Sequence, residues 1–330
     1  MIIEKAKENG QINDLLFSAI KNNKVDTIEV LFNYTQSINF KFDYYNAFYL
    51  AINSNNREII ELLKTEYNKL PEINNDQRIV KLLEDEKNIR FFYECIENKD
   101  YNKTLELIKN ISDLNLIVDG TTLLHKIVSL KDCTFNISFI EQILRQNNSI
   151  LNMKNQDGFT PLHLAIINDN TDIVKYLLKR DEIDLSIKDS NGLTPFELAV
   201  KNNIFNIAYT LLFNYSEKIK INLDVNKIFY YVCKNNSNLL FQLLINKLSL
   251  PFPDLTLKYE KNQSLLHIVC SNKNNIFSLL LSNFNENLKL LKKLLDGKSN
   301  IYTLNERDED GFTPLHLAII NDNTNIVEYL

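Results

Sequence analysis

A stretch of 21 residues occurs twice in this chain, almost unchanged, and it limits the possible folds more than any other feature. Residues 157–177 read DGFTPLHLAIINDNTDIVKYL, and residues 310–330 read DGFTPLHLAIINDNTNIVEYL. The copies differ only at Asp172 versus Asn325 and at Lys175 versus Glu328. Self-similarity of this kind indicates a supersecondary unit that is used repeatedly and buries its apolar face against its neighbours.

Weaker copies of the same unit extend over most of the chain. Residues 191–212 read NGLTPFELAVKNNIFNIAYTLL, and their glycine and proline lie 34 positions after Gly158 and Pro161. Fainter copies begin at Asp119 and Ser264, and a rhythm of helix, Asn-containing turn and helix continues elsewhere, at 15–32, 45–63, 92–108 and 229–244. The sequence therefore predicts about nine units, the last of which is cut short at Leu330.

Local chemistry explains why one unit forms two short helices. Asp157-Gly158 predicts a turn, because glycine accepts positive φ. Thr160 suits a helix N-cap and Pro161 suits the first helical position. Asn168-Asp169-Asn170 predicts the end of the first helix, with Asn in the left-handed conformation. Helices of about eight residues do not persist alone, so each pair must bury its apolar stripe against a neighbouring pair.

These motifs resemble the ankyrin repeat, whose signature D-G-x-T-P-L-H-x-A is followed by a second helix with I-V-x-x-L-L. The resemblance implies an all-α fold, an ankyrin-type α-solenoid of stacked helix–turn–helix repeats with hairpin turns. It divides the chain into five parts: degenerate N-terminal repeats at 1–63, a connector at 64–90, repeats at 91–282, a helical insertion at 283–309 and a truncated repeat at 310–330.

Two segments interrupt the rhythm. Residues 64–90 contain Pro71 and the charged run 84–87, which predicts an irregular outer helix followed by a connector. Residues 283–309 contain leucines at mostly helical spacing with lysines between them, which predicts an amphipathic helix that ends at Asp296-Gly297. That helix either packs on the repeats or binds a partner.

The histidines and cysteines, which often act in enzyme active sites, are explained here by their positions in the repeats. All four histidines, His125, His163, His267 and His316, follow a leucine in a first helix. The resemblance implies that this histidine is structural and hydrogen-bonds around the turn and the threonine of its motif. Four cysteines, Cys95, Cys133, Cys233 and Cys270, lack the paired spacing of a zinc site and are predicted to be free buried thiols. We therefore expect no enzyme activity, no cofactor and no metal.

Charge and hydropathy exclude further classes. The net charge is −5, so the chain lacks the basic field that nucleic-acid binding requires. No window approaches the ~18 uninterrupted apolar residues of a membrane-spanning helix, so membrane insertion of this segment is not expected. The first residues lack the apolar core of a secretory signal, which leads us to expect a cytoplasmic protein.

The resemblance implies a protein–protein interaction scaffold that binds a partner through a concave face of hairpin tips and first helices. Six candidate contact residues follow from the motif positions: Phe159, Leu193 and Phe312 after the turn glycine, and Ile167, Lys201 and Ile320 on the first-helix side. Exposed apolar side chains are candidate anchors for a partner. The alternative is that they pack on the neighbouring hairpin.

The end of the sequence suggests a second function. The chain stops inside the second helix of a strong repeat, with no polar capping unit after it, which predicts either a truncated protein or a frayed natural end. The alternative function is thus a regulatory ankyrin region of a larger enzyme or membrane channel, truncated at Leu330. An enzyme hidden in 64–90 or 283–309 is disfavoured, because neither segment contains a histidine, a cysteine or a glycine-rich loop.

Overall fold

The computed structural model describes residues 11–36, 42–70, 76–130, 133–220, 223–248, 257–272 and 305–327. Regular structure in these ranges is helical, and the only β-interactions there are two isolated bridges, Val118–Thr121 and Lys258–Ser264. This confirms the all-α fold class. The chain divides into two compact units, Met1–Leu164 with Arg180–Ile183 and Ala165–Lys179 with Asp184–Leu330.

The first unit consists of helical pairs that stack in chain order. Its helices are α1 (Ile12–Lys21), α2 (Val25–Gln36), α3 (Tyr44–Asn53), α4 (Arg57–Asn68), α5 (Gln77–Glu97), α6 (Tyr101–Asn110), α7 (Leu123–Val128) and α8 (Cys133–Gln146). Helix α1 packs on α3 and α3 on α5, whereas α2 packs on α4. First helices therefore stack on first helices and second helices on second helices.

The second unit repeats this arrangement. Helix α9 (Pro161–Ile167) crosses the boundary between the units and is followed by α10 (Thr171–Leu178), α11 (Pro195–Lys201), α12 (Phe205–Lys220), α13 (Val225–Lys234), α14 (Asn238–Leu248), α15 (Leu265–Ser271), α16 (Pro314–Ile320) and α17 (Thr324–Val327). The first helices α11, α13, α15 and α16 pack in sequence, and the second helix α12 packs on α10 and α14.

One turn geometry joins the two helices of most repeats. A residue with positive φ ends the first helix, and the next residue donates its N–H to a carbonyl five positions back, as from Asn170 to Ala165 at 2.9 Å. The expectation of a left-handed asparagine in the first copy was wrong in position, because the residue with φ 52° is Asp169. Asn170 instead caps α10 by accepting the N–H of Ile173.

The segment at 64–90, expected to be an irregular outer helix followed by a connector, contains the end of α4 and most of α5. Helix α5 runs through the charged run 84–87 and continues past residue 90 to Glu97. Asp85 is buried, and its carboxylate accepts the N–H groups of Ser112 and Asp113, which follow α6, each at 3.0 Å. Part of the charged run is therefore buried, and Asp85 is hydrogen-bonded to the backbone of a later segment. The domain boundaries themselves remain predictions.

Helices α15 and α16 are neighbours although a long segment separates them in sequence. They pack directly on each other, and Gln263 donates its side-chain amide to the Asp308 carboxylate at 3.1 Å. Residues 283–304 of the expected helical insertion lie outside the described residues. The two repeats that flank the insertion therefore form an ordinary repeat–repeat contact.

Three of the cysteines confirm the expected free, buried thiols. Cys95, Cys233 and Cys270 are buried and unpaired, and the side chain of Cys133 lies outside the described set. No described helix combines the length and the apolar character needed to cross a bilayer.

Candidate partner-binding surface

The hairpin turns that precede first helices are shaped by glycine and by one acidic or amide side chain. Gly311 has φ 83°, a conformation that glycine adopts without strain. Asp308 donates its backbone N–H to the Phe312 carbonyl at 2.9 Å, and its carboxylate accepts the Phe312 N–H at 2.8 Å. Asp189 holds Leu193 in the same way. These hydrogen bonds therefore fix the turn residues within each hairpin.

Each of the four histidines contacts the cap residue of its own helix. The Thr122 hydroxyl lies 2.7 Å from Nδ1 of His125, and Ser264 makes the same contact with His267. His125 Nε2 lies 2.9 Å from the Phe159 carbonyl of the next hairpin. Because a carbonyl only accepts, Nε2 carries the proton and Nδ1 accepts from the hydroxyl. The His125 imidazole thus links its own repeat to the next one.

A glutamate occupies the histidine position in the repeat at 191–212. Glu197 is buried and accepts the N–H of its own cap residue Thr194 at 2.8 Å. Its other oxygen accepts the N–H of Asp224, which caps the first helix of the following repeat, at 3.2 Å. The position therefore connects neighbouring repeats whether it holds an imidazole or a carboxylate.

Burial shifts the pKa of a histidine and of two cysteines in the repeats towards their uncharged forms. Burial lowers the pKa of His125 to about 4, so the ring is neutral at physiological pH. Burial raises the pKa of Cys233 and of Cys270 to about 12, which keeps both thiols protonated and poorly nucleophilic. In the part of the chain that the structure describes, no group of three or more His, Cys, Asp or Glu could hold a metal ion.

The six residues singled out from the sequence differ in exposure. Ile167, Phe312 and Ile320 are exposed, and Phe159 and Lys201 are half-buried. Leu193 is fully buried, so for this residue the alternative reading, packing in the protein, describes its position. Phe159 belongs to the first unit and the other five to the second.

Three of these residues share one structural position. Ile167, Lys201 and Ile320 are the last residues of α9, α11 and α16, immediately before the turn between the two helices. Lys201 holds its ammonium 5.6 Å from the ring centre of Tyr231 on the neighbouring first helix. A cation held over an aromatic ring keeps its charge while its position is restricted.

The residue at this position of α13 was missed by the sequence reasoning. Lys234 ends α13, lies 5.6 Å from the Tyr230 ring and is hydrogen-bonded to Glu260. The hydrogen bond from Lys234 lowers the pKa of Glu260, and the carboxylate raises the pKa of Lys234. The sequence signal was present, since Lys234 precedes Asn235-Asn236 as Lys201 precedes Asn202-Asn203.

The second helices carry a separate apolar stripe. The rings of Phe205 and Tyr209 lie 6.0 Å apart, and those of Tyr209 and Phe213 lie 5.5 Å apart in a stacked arrangement. Tyr209 and Phe213 are exposed, as is Leu239 on the adjacent α14. Nothing in the first-helix positions predicts this stripe, which follows the i, i+4 spacing of α12.

A protein-family model supports the assignment made from the motifs. The model described as ankyrin repeats (3 copies) matches residues 92–189, 132–225 and 228–330, which together make up more than half of the chain. No curated protein matches the sequence.

The solved structures to which this chain is similar include ankyrin repeat domains. The ankyrin repeat domain of Bcl-3, described as a unique member of the IkappaB protein family, has a TM-score of 0.44 and 17% identity, covering 71% of this chain and 97% of that chain. The human ASB11 ankyrin repeat domain has a TM-score of 0.43 and 18% identity, with coverages of 69% and 90%. A structure of the Bd0816 predatory endopeptidase from Bdellovibrio bacteriovorus in complex with immunity protein Bd3460 has a TM-score of 0.41 and 20% identity, with coverages of 62% and 95%.

Proposed function

Because this chain belongs to the ankyrin repeat family, we propose that it is a scaffold that binds a partner protein through the ends of its first helices. Ankyrin repeats generally mediate protein–protein interaction. The supporting observation is that successive first helices of the second unit end in side chains that reach solvent. We define the first-helix surface as Ile167, Lys201, Lys234 and Ile320, and Phe312, in the hairpin before α16, is a further proposed contact.

The side chains of this surface indicate what kind of partner would be complementary to it. Ile167 and Ile320 supply exposed apolar groups, whereas Lys201 and Lys234 supply cations held over tyrosine rings. Apolar anchors surrounded by fixed charges favour a partner that presents apolar side chains around an acidic group. Phe159, in the first unit, is a further proposed contact, considered by itself.

Binding measurements with surface variants test the proposal. A partner is first isolated by affinity capture with the 330-residue chain, and its affinity is then measured for Ile167→Asp, Lys201→Glu and Ile320→Asp. We expect each change to weaken binding at least ~10-fold, about 1.4 kcal/mol, because each removes an anchor or reverses a charge. The matched control is Leu239→Glu, which changes an exposed second-helix side chain.

The same experiment can contradict the proposal. Equal affinities for the wild type and all three first-helix variants, with a loss only in Leu239→Glu, would move the binding site to the second helices. Phe312→Asp and Phe159→Asp extend the test to the hairpin tips. Partner recovery that is unchanged by both would remove these two aromatic side chains from the interface.

A further inference from the structure

The exposed face of the second helices changes from charged to apolar within the second unit. Helix α10 carries Asp172 and Lys175 at exposed positions, and the exposed Lys179 follows its last residue. The next repeat is offset by 34 residues, so Lys175 and Lys179 correspond to Tyr209 and Phe213 on α12. Tyr209 is 41% exposed and Phe213 is 53% exposed. Two aromatic rings therefore occupy positions that hold ammonium groups in the preceding repeat.

Helix α14 continues the apolar surface. The turns at 202–203 and 235–236 are offset by 33 residues, so Leu239 on α14 corresponds to Asn206 on α12. Leu239 is 63% exposed, and α14 packs on α12. Exposed apolar side chains grouped on neighbouring helices are typical of an interaction site. We define the second-helix stripe as Phe205, Tyr209, Phe213 and Leu239.

Cations lie along only one side of this stripe. Helix α10 packs on α12, and the Tyr215 hydroxyl donates a hydrogen bond to the Leu178 carbonyl at 2.5 Å, which brings the end of α10 to the end of the stripe. Among the described residues, neither Lys175 nor Lys179 forms an ion pair. On the other side, α14 presents the uncharged Gln242 to solvent. The stripe is thus bordered by two unpaired ammonium groups and by a neutral edge.

The spacing of the aromatic side chains favours a helix as the binding partner. Phe205, Tyr209 and Phe213 follow one another at i, i+4 and i+8, with successive ring centres 6.0 and 5.5 Å apart. They form a ridge of ~12 Å along α12. Such a ridge packs into the groove between the corresponding rows of side chains on another helix. The ridge requires apolar side chains opposite it, whereas the lysines beside it favour carboxylates at one edge of the partner.

We propose that the second-helix stripe binds an amphipathic helix of another protein, whose apolar face covers the stripe and whose acidic edge faces Lys175 and Lys179. This site is separate from the first-helix surface, so the chain binds two different ligands. An anionic membrane surface is a poorer match, because the cations lie on one side only, Asp172 lies beside them and the net charge of the chain is −5.

Fluorescence anisotropy with two synthetic peptides tests this proposal. The acidic peptide has leucines at i, i+3, i+4 and i+7, glutamates along both edges and a length of about 18 residues, so that it can form a helix in water. The basic peptide has lysine in place of every glutamate. We expect the 330-residue chain to bind the acidic peptide with a Kd of ~10 to ~100 µM, because the interface is small. The basic peptide should bind at least ~10-fold more weakly.

Variants of the stripe locate the binding site. Phe213→Glu and Leu239→Glu each place a charge among the apolar side chains and should weaken binding of the acidic peptide at least ~10-fold. Both side chains are exposed, so circular dichroism should show an unchanged helix content. The double variant Lys175→Glu with Lys179→Glu should reverse the preference and bind the basic peptide more tightly than the acidic one.

The matched control is Lys201→Glu, which makes the same change of charge on the first-helix surface. This variant should bind the acidic peptide as the wild type does. Its effect on the partner of the first-helix surface is measured separately, so the failure of one proposal is distinguishable from the failure of the other. A loss of peptide binding in Lys201→Glu alone would place the peptide on the first helices.

Three further outcomes would overturn the proposal. The first is an acidic peptide that does not bind at concentrations up to ~1 mM. The second is equal binding of the two peptides, or an affinity that both Phe213→Glu and Leu239→Glu leave unchanged. The third is sedimentation of the wild type with phosphatidylserine vesicles that Phe213→Glu abolishes, in the absence of peptide binding, which would identify a membrane surface as the ligand.

Discussion

The hydroxyl of the helix cap and the imidazole of the histidine form a hydrogen-bonded pair in these repeats. In the repeats at 119 and 264 the histidine Nδ1 accepts from the cap hydroxyl, and Nε2 reaches a carbonyl of the following repeat, Phe159 for His125 and Glu306 for His267. Removing water from the ring favours the neutral form. The same contact that joins two repeats therefore makes their stability depend on pH.

We predict that the free energy of unfolding falls as the pH decreases from about 6.5 to about 4. His125 has a folded-state pKa of about 4 against 6.5 unfolded, so in this range the unfolded chain binds more protons. The stabilisation is complete above pH 6.5 and is lost as the pH falls through the folded pKa. The expected loss is on the order of 3 kcal/mol, measured by urea unfolding at several pH values.

The variant His125→Gln isolates this contribution. Glutamine does not titrate, so the pH dependence of unfolding between about 6.5 and about 4 should become flatter than in the wild type. Burial also lowers the pKa of His267, so His267→Gln should reduce the slope in the same direction. A slope that both variants leave unchanged would contradict the assigned role of these rings.

Contacts within a few residues could be predicted from the sequence, and contacts over longer distances could not. Pro161 begins its helix and Gly158 takes positive φ, as the turn and cap chemistry predicted. Leu193 was predicted as a candidate contact but is buried, because exposure depends on what packs around the hairpin. Lys234 was missed as a contact residue, and its partner Glu260 lies 26 positions away.

The turn between the two helices of a repeat requires one residue with a positive φ. The residue with positive φ is Asn23, Asn55, Asp169, Asn203, Asn236 or Asp322 in six of the described repeats. Short polar side chains tolerate this conformation better than long ones. Lys99, between α5 and α6, has φ 59° without that advantage. The frequent asparagines of this chain thus have a structural use at these turns.

We predict that Lys99→Gly stabilises the protein by about 1 kcal/mol, because glycine adopts positive φ without the steric cost of a Cβ. The expected result is a higher midpoint of urea unfolding with an unchanged slope. Lys99→Ala is the matched control, since it removes the same side chain but keeps the Cβ. Equal midpoints for the two variants would show that the backbone conformation at residue 99 costs nothing.

Helix α5 shows why an element boundary escaped the sequence reasoning. The run 84–87 has the composition of a solvated segment, yet Asp85 and Glu86 are buried. Asp85 accepts backbone N–H groups from a segment 27 and 28 positions later, and Arg90 pairs with Glu86 and with Asp119. A charged residue whose partners come from another repeat cannot be recognised from its own neighbours.

The repeat pattern predicted the class of the whole molecule because each pair of helices depends on its neighbours. The order of stacking within each unit follows from the order of the repeats in the chain. Whether a given apolar side chain is buried cannot be predicted from the repeat pattern. Leu162 is buried, whereas Leu315, at the same position of the near-identical copy at 310–330, is exposed. The sequence of a repeat gives it two apolar sides, and each side is buried where a neighbouring repeat packs against it.

Hydrogen exchange of the 330-residue chain, alone and with its captured partner, tests most directly whether the chain works by offering a binding surface. The account predicts slower exchange on binding in peptides that cover 161–170, 195–203 and 314–322, which contain the first-helix ends and the turns after them. It predicts no change in 205–213 and 238–245, on the second helices. Slowed exchange confined to the second helices would contradict it, as would binding that leaves all three first-helix segments unchanged.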